Sequence, residues 1–397
     1  MRVTDSSLRE SFLRVTRQQQ TALAKTQLQV TSGQRFTRPA EDPVAAARAL
    51  DIERALADNT QFGTNAEIAR NRLSTSESAL TQVGNLLQRL RELAVQSATA
   101  TESNESRRQT AAEVRQAYEQ LLQLANAADG NGQYLFGGYS GSSQPFVRGA
   151  AGVNYSGDQG QRALQVGPDR QVADGTPGSE IFQRIKDGNG VFSVQVASGN
   201  GGTAIAGTRS ITDAAAYDGG TYTVQFTGPG NWEVRDAANA LVANGAYVEG
   251  QSIAFRGLQV EISGTPVAGD RFVVAPSRDK DVFSTVADMV KLLSDGVANP
   301  VEKAGFSNGM NALLDNLDQS LGRVLDVRSS IGARLAALDA QDAQNGDLVL
   351  ELKTTLSTLK DLDYAEALSR MQTQLNGLEA AQKSFVKLQG LSLFDYL

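Results

Sequence analysis

The segment LSTSESALTQVGNLLQRLRELA, Leu73 to Ala94, decides the fold. Alternate steps of three and four residues run through it from Ile52 by way of Phe62, Leu73, Leu80, Leu87 and Leu90 to Ser97, an unbroken 3.5-residue seam over six heptads. Its small members, Ala55, Ala66, Ala69 and Ala94, admit a partner helix at close range. A second seam of equal length starts at Met310 and passes Leu317, Val324, Ile331, Leu338 and Leu352 to Leu359. Each would make a rod of roughly 70–80 Å at ~1.5 Å per residue. A narrow apolar stripe does not stay in water, because each exposed Leu forgoes about 1.5–3 kcal/mol. Two seams at opposite chain ends most simply bury each other. Arg328, Asp342 and Asn345 interrupt the second seam. Either they fix its register or the seam rotates outward there.

A third helix, roughly residues 107–128, repeats the pattern with Val114, Tyr118, Leu121, Ala125 and Ala128, and the polar break before it predicts an antiparallel return. Val282 to Leu293 reads as a shorter fourth helix. Between residues 130 and 276 glycine is frequent and the period changes to two. TYTVQF, NWEVRDA, SIAFRG, LQVEISG and RFVVAP read as short strands, with Tyr222, Val224 and Phe226, and Leu258, Val260 and Ile262, on inward faces. VNYSGDQGQRALQVGP reads as one separate hairpin. The fold class is therefore mainly α with an inserted β-domain: an elongated antiparallel helical-bundle or coiled-coil stem made from both chain ends, with a small antiparallel β-domain at its far end. The expected divisions are 1–33 with 364–397 as terminal helices, 34–150 with 280–363 as the stem, 151–186 as a hairpin extension and 187–279 as the β-domain.

The chain of 397 residues suits two or three domains and carries a net charge of -7. With no long Lys/Arg run, nothing points to nucleic acid. Residues 1–50 hold eight Lys/Arg against four Asp/Glu, and residues 281–397 hold ten against sixteen, so the ends are complementary in charge. There is no Cys and no His. That removes disulfides, cysteine nucleophiles, Ser-His-Asp chemistry and the usual zinc ligands. No cofactor and no metal is expected. MRVTDSSLRESFLRV does not read as a secretory signal, and no apolar run of spanning length occurs.

The seams leave SGQRFTRPAEDP, Ser32 to Pro43, as a break between a first helix, about residues 8–30, and the long one. Gly33 is the expected helix stop, and Asp42 with Pro43 the next helix start. Arg35, Phe36 and Pro39 complete the boundary. The first helix carries only Leu8, Phe12 and Val15 as large seam residues and is marginal alone. Its match at the other end holds Ala367, Met371, Leu378, Phe385 and Leu388, followed by Leu393 and Phe394. These positions are the candidate assembly tip, and the break is a candidate hinge between that tip and the stem.

Four stretches resemble the bacterial flagellin family, and its hook–filament junction branch in particular. TSGQRFTRPAEDPVAAA is similar to the family's N-terminal signature, with Glu41 where an Asp is usual. LLQRLRELAVQSATAT resembles its helix and turn. DGNGQYLFGGYSGSSQPF, with Tyr134, Phe136, Gly137, Pro145 and Phe146, resembles the junction branch's turn, and DLDYAEALSRMQTQL with KLQGLSLFDYL resembles its C-terminal end. Pro39, Pro43 and the Tyr-Leu-Phe-Gly turn favour the junction branch over flagellin itself. The resemblance leaves the β-domain poorly covered, as the variable part. It implies a non-enzymatic structural protein, exported unfolded without a cleavable signal and held by a cytoplasmic chaperone. Assembly would be outside the cell, between hook-associated protein 1 and flagellin, in a ring of identical subunits, with no membrane partner.

Other motifs weigh less. Ser357 with Lys360, and Ser384 with Lys387, match Ser-x-x-Lys but lack companion motifs and sit in helical seams. Asp361 and Asp363 read as solvated or capping. The alternatives are a divergent flagellin, or a glycan-binding β-domain using Trp232, Tyr222 and Tyr247, for which core packing is the plainer reading.

Overall fold

The computed structural model describes residues 5–99, 103–150, 152–228 and 230–390. Its helices are α1 (Asp5–Ser32), α2 (Pro43–Ala98), α3 (Asn104–Ala125), α4 (Gly178–Phe182), α5 (Val282–Ser294), α6 (Pro300–Lys360) and α7 (Tyr364–Gly390). The strands are β1 (Phe146–Gly149), β2 (Gly152–Tyr155), β3 (Ala163–Gly167), β4 (Arg170–Ala173), β5 (Ile185–Lys186), β6 (Phe192–Val196) and β7 (Ile205–Ile211). They continue with β8 (Tyr222–Gly228), β9 (Asn231–Asp236), β10 (Leu241–Ala246), β11 (Ser252–Phe255), β12 (Leu258–Ser263), β13 (Arg271–Pro276) and β14 (Asp279–Lys280). The chain divides into two compact units, residues 65–339, and residues 1–64 with 340–397.

In the 65–339 unit the first seam is the core. Ala66, Ala69, Leu73, Leu80, Val83, Leu87, Leu90 and Ala94 of α2 share one buried cluster with Met310, Leu317, Val324, Ile331 and Leu338 of α6. A β-carbon on Gly84 would lie 4.0 Å from Val324, an ordinary contact distance, so α6 passes this turn of α2 without requiring a glycine there. Val327 takes the buried seam position between Val324 and Ile331, and Arg328 sits half-buried beside it and donates from Nε to Glu77 Oε1 of α2 at 2.8 Å. The seam therefore does not turn outward there. The charge is half-buried and answered across the pair, as a register-setting residue requires. Further pairs join α2 to α6 at Arg91 with Asp318 (2.6 Å) and Arg70 with Asp339 (3.1 Å). Charge complementarity between the chain ends is thus met by residues beyond position 50, whereas Lys25 and Arg35 pair within the first fifty residues, with Glu41 and Asp42.

The shorter helices follow their caps. Ser103 Oγ accepts the Ser106 N–H at 3.1 Å and starts α3, which buries Ala111, Val114, Ala117, Leu121 and Ala125. Asp281 accepts the Ser284 N–H at 2.6 Å and starts α5, which packs on α3. α6 begins ten residues before the first seam position. Asn299 Oδ1 accepts the Glu302 N–H at 2.9 Å, Glu302 reaches back to the Ala298 N–H at 2.6 Å, and Pro300 takes the first helical position.

The five expected strand runs form β8, β9, β11, β12 and β13. Tyr222, Val224, Phe226, Leu258, Val260 and Ile262 are all buried in the β-domain core. The strands make a five-stranded antiparallel sheet, order β10-β9-β8-β13-β6, and a three-stranded one, order β11-β12-β7. The segment read as one hairpin is two half-hairpins. β2 pairs with β1, Phe146 facing Tyr155, and β3 pairs with β4, Ala163 facing Ala173. The Gly- and Gln-rich stretch between them turns the chain without pairing.

One face of α6 carries the β-domain. Asn308 Oδ1 accepts the Ala206 N–H at 2.8 Å, and its amide donates to Ala204 O at 2.9 Å. Asn311 donates to Ala206 O at 3.0 Å, and Asn316 accepts the Gly188 N–H at 3.0 Å. The Asn308 and Asn311 amides answer Ala206 on β7, an edge strand that would otherwise be bare on that side, and Ala204 just before it. Arg209 of β7 pairs with Asp315. Burial lowers the arginine's pKa and raises the carboxyl's, so this pair gives direction rather than stability.

Leu87→Asp should unfold this unit, because a carboxylate in the fully buried seam has no partner. A loss above about 4 kcal/mol in denaturant titration is expected. A cooperative transition close to that of the parent would contradict the assignment of the seam as core.

Candidate assembly interface

The unit of residues 1–64 with 340–397 is organised around two helix breaks. α1 stops because Gly33 takes φ +69°, which glycine adopts at little cost. α2 starts on Asp42, whose Oδ1 accepts the Ala45 N–H at 3.0 Å while Arg35 holds Oδ2 at 3.0 Å. The Ala45 bond first, and then Arg35, hold the Asp42 carboxyl below the usual carboxylate range. At the other end Asp363 accepts the Ala365 and Glu366 N–H groups at 2.9 and 3.1 Å and starts α7.

The two breaks cross. Gln34 and Asp361 form an antiparallel bridge. The Arg35 N–H donates to Lys360 O at 2.7 Å, and the Leu362 N–H donates to Gly33 O at 2.9 Å. A β-carbon on residue 33 would stand 2.9 Å from the Tyr364 hydroxyl. Phe36 is buried with Ala45 and Ala46 against Leu359, and Lys360 Nζ reaches Glu53 at 2.7 Å. Gly33, Arg35, Phe36, Asp42 and Pro43 therefore come together, while Pro39 lies exposed on the loop between them. Tyr364, Leu362 and Lys360 belong to this crossing; of these the sequence had marked only Lys360, and for its Ser-x-x-Lys spacing rather than for this contact. The acidic pair Asp361 and Asp363 marks a helix restart, but only the fold reveals what it faces.

Beyond the crossing α1 packs on α7. Phe12 stacks on Phe385 with centroids 4.0 Å apart and planes 7° from parallel. Met371 and Leu378 are half-buried and Ala367 is buried. Val15 is 48 % exposed, because the seam runs through Thr16 and Leu23 where Val15 and Ala22 were expected. Phe12, Gln19, Thr26 and Gln29 keep their expected places and only these two positions move on by one residue, which buries a leucine in preference to an alanine. Thr26 and Gln29 are buried too, so the seam is largely polar. The side-chain oxygens of Thr16, Gln19 and Gln374 are buried without a hydrogen-bond partner. Leu13, Val15, Leu28, Leu368 and Val386 meanwhile stand exposed on the outside of the pair. The side chains of Leu8 and Leu388, and residues Leu393 and Phe394 altogether, lie outside the described residues.

The turn of residues 129–146 belongs to the other unit and is core. Phe136, Gly137, Pro145 and Phe146 are buried and Tyr134 is half-buried. Phe146 packs edge-on to Phe182 at 5.3 Å and tilts against Phe283 at 5.4 Å. Arg72 of α2 ties the turn down, donating to Tyr134 O at 2.8 Å and to Asp129 Oδ2 at 3.2 Å. A β-carbon on Gly178 would stand 2.6 Å from the Phe146 ring, so α4 can approach only as glycine.

The remaining motifs take structural places. Ser357 Oγ donates to Asp361 while Lys360 turns to Glu53, so the Ser-x-x-Lys pair is not assembled. Tyr222 is in the β-domain core with its hydroxyl on Asp218 at 2.6 Å, and burial with that bond pushes its pKa up to about 12. Tyr247 packs edge-on to Phe226, and Trp232 donates from Nε1 to Ala246 O at 3.1 Å. No helix among the described residues is long and apolar enough to cross a membrane.

The description "Bacterial flagellin N-terminal helical region" matches residues 6–141, and "Flagellar hook-associated protein 1, D2-like domain" matches residues 196–276. The β-domain thus has a likeness that its sequence had not suggested. Flagellar hook-associated protein 3 of Salmonella typhimurium is 26% identical over 92% of this chain and 90% of its own length. The crystal structure of Xanthomonas campestris FlgL is 40% identical, with a TM-score of 0.73, covering 77% of this chain and 99% of that one. Flagellar hook-associated protein 3 of Legionella pneumophila is 33% identical, with a TM-score of 0.75, covering 78% and 98%.

Two outcomes are expected. In the isolated chain the amides of Arg35 and Leu362 should exchange with deuterium more slowly than amides near Phe12 and Phe385, and equal rates throughout would remove the distinction between crossing and tips. Because its pKa is lowered on folding, Asp42 stabilises above the ordinary carboxylate range of about 3.9, and this is lost as pH falls through the lowered value. Asp42→Ala should therefore lower the protection factor of the Ala45 amide at pH 7, and the difference should shrink in acid.

Proposed function

This chain belongs to the flagellar hook-associated protein 3 family, structural proteins of the bacterial flagellum, and on that premise we propose that it joins hook to filament. Hook-associated protein 1 lies on one side and flagellin on the other, with copies of the chain arranged as a ring. The observation that carries this reading is the α1–α7 pair. Its seam is polar and incompletely bonded, and its outer faces carry Leu13, Val15, Leu28, Leu368 and Val386 in water. Such a pair gains from neighbours on both counts: burying one large aliphatic side chain yields about 1.5–3 kcal/mol, and each buried polar group that finds a partner regains about 1–3 kcal/mol. Terminal helices that complete their packing only against neighbours do not polymerise prematurely, which couples their final ordering to assembly.

The same logic favours export in an unfolded state without a cleavable signal, with a cytoplasmic chaperone covering the terminal segments until release outside the cell. The role is structural rather than enzymatic. Tyr222, Trp232 and Tyr247, the aromatics that a glycan-binding role would need, are committed to core packing or backbone hydrogen bonds.

In a strain lacking this protein, cells should carry hooks without filaments and release flagellin into the medium. The parent chain should restore filaments and Phe12→Asp or Phe385→Asp should not, although circular dichroism of either variant should show residues 65–339 still folded. Filaments persisting in the deletion strain would point instead to a minor flagellin.

A further inference from the structure

The α1–α7 pair has little in its own seam to say which residue should stand opposite which. Thr16, Gln19, Thr26 and Gln29 are small or polar. The Gln19 and Gln374 carbonyl oxygens find no partner, so amide pairing does not select a register either. A polar residue in a helix seam fixes register only when its hydrogen bonds are met in one alignment. Yet Phe12 and Phe385 stack face to face.

Counting outward from the crossing explains why. Phe12 lies 21 residues before Gly33, and Phe385 lies 23 residues after Leu362. At ~1.5 Å per residue the two helical arms are of nearly equal length, roughly 32 and 35 Å. The arms start level because the breaks are bonded together, Arg35 N–H to Lys360 O and Leu362 N–H to Gly33 O. Glycine suits residue 33 for its φ of +69°, and the Tyr364 hydroxyl lies close against it.

We infer that the crossing is a register pin: Gly33, Arg35, Lys360 and Leu362 fix the alignment in which α1 and α7 pair. The break is therefore the most tightly held part of this unit, a clasp rather than a hinge, and the arms loosen only beyond it. The pin makes the terminal helices enter any assembly in one alignment. That use rests on the function proposed above, whereas the pin itself does not.

The chain has no cysteine, so register can be read by cross-linking. Phe12→Cys with Phe385→Cys reports the observed alignment, and Phe12→Cys with Leu378→Cys reports a slip of one heptad. In the isolated full-length chain, a short bis-maleimide should join the first pair about tenfold faster than the second, the preference two backbone hydrogen bonds of ordinary net strength supply. Adding Arg35→Pro and Leu362→Pro, which removes both bridging N–H groups, should bring the ratio close to one. Two glycines inserted between Arg38 and Pro39, outside the crossing, should leave the ratio unchanged. A preference that survives the prolines, or that shifts with the inserted glycines, would overturn the pin. No flagellar partner enters the measurement, so its failure would leave the hook–filament reading standing, and failure of that reading would leave the pin standing.

Discussion

Two narrow apolar stripes bury one another in the 65–339 unit, and the other elements there are placed by that pairing. Neither stripe is wide enough to form a core alone, so α2 and α6 must lie together along their length. Once they do, small buried residues such as Ala66 and Ala69 let them come close, and the Arg328–Glu77 pair discourages slippage. α3 and α5 then close the remaining apolar flank, and the aromatic turn of Phe136 and Phe146 plugs the space against Phe182 and Phe283.

The other unit obeys the same period with different chemistry. Its seam has Thr, Gln and Gly where the long seams have Leu and Val. The result is a pair whose helices have geometry but little burial. Its cohesion is concentrated where backbone meets backbone, at the crossing of the two breaks, and where Phe36 sits on Ala45, Ala46 and Leu359. On the proposed function that division would have a use: the stable part needs no neighbour, and the terminal pair is left for one to complete.

The β-domain shows a third solution. Its two sheets bury a core of their own, but β7 presents an open edge. Asn308, Asn311 and Asn316 on one face of α6 answer backbone groups there and beside it, as a neighbouring strand would. Asn suits the task because one side chain offers both donor and acceptor. The buried Arg209–Asp315 pair adds orientation at a desolvation cost, so the docking is directional more than strong.

Local pattern alone determined a good deal here. The two seams, the capped start at Asp42, the glycine stop at Gly33 and the alternation in β8 and β12 were all legible, because each is written in residues close together in the chain. The start of α6 is written locally too, in Asn299-Pro300 and Glu302, ten residues before its heptads begin. Phase was not legible in α1: with Thr and Gln on both flanks, only the neighbour chosen by the fold decides whether Ala22 or Leu23 turns inward. The partners of Asn308, of Arg72 and of the Gly33 carbonyl were beyond reach for the same reason. Each lies across more than fifty residues, and a single polar side chain or backbone group carries no signature of what it will meet. Periodicity specifies which surface of an element must be covered. Only the packed chain specifies by what, since hydrogen bonds are satisfied one at a time by whatever the three-dimensional arrangement brings within about 3 Å.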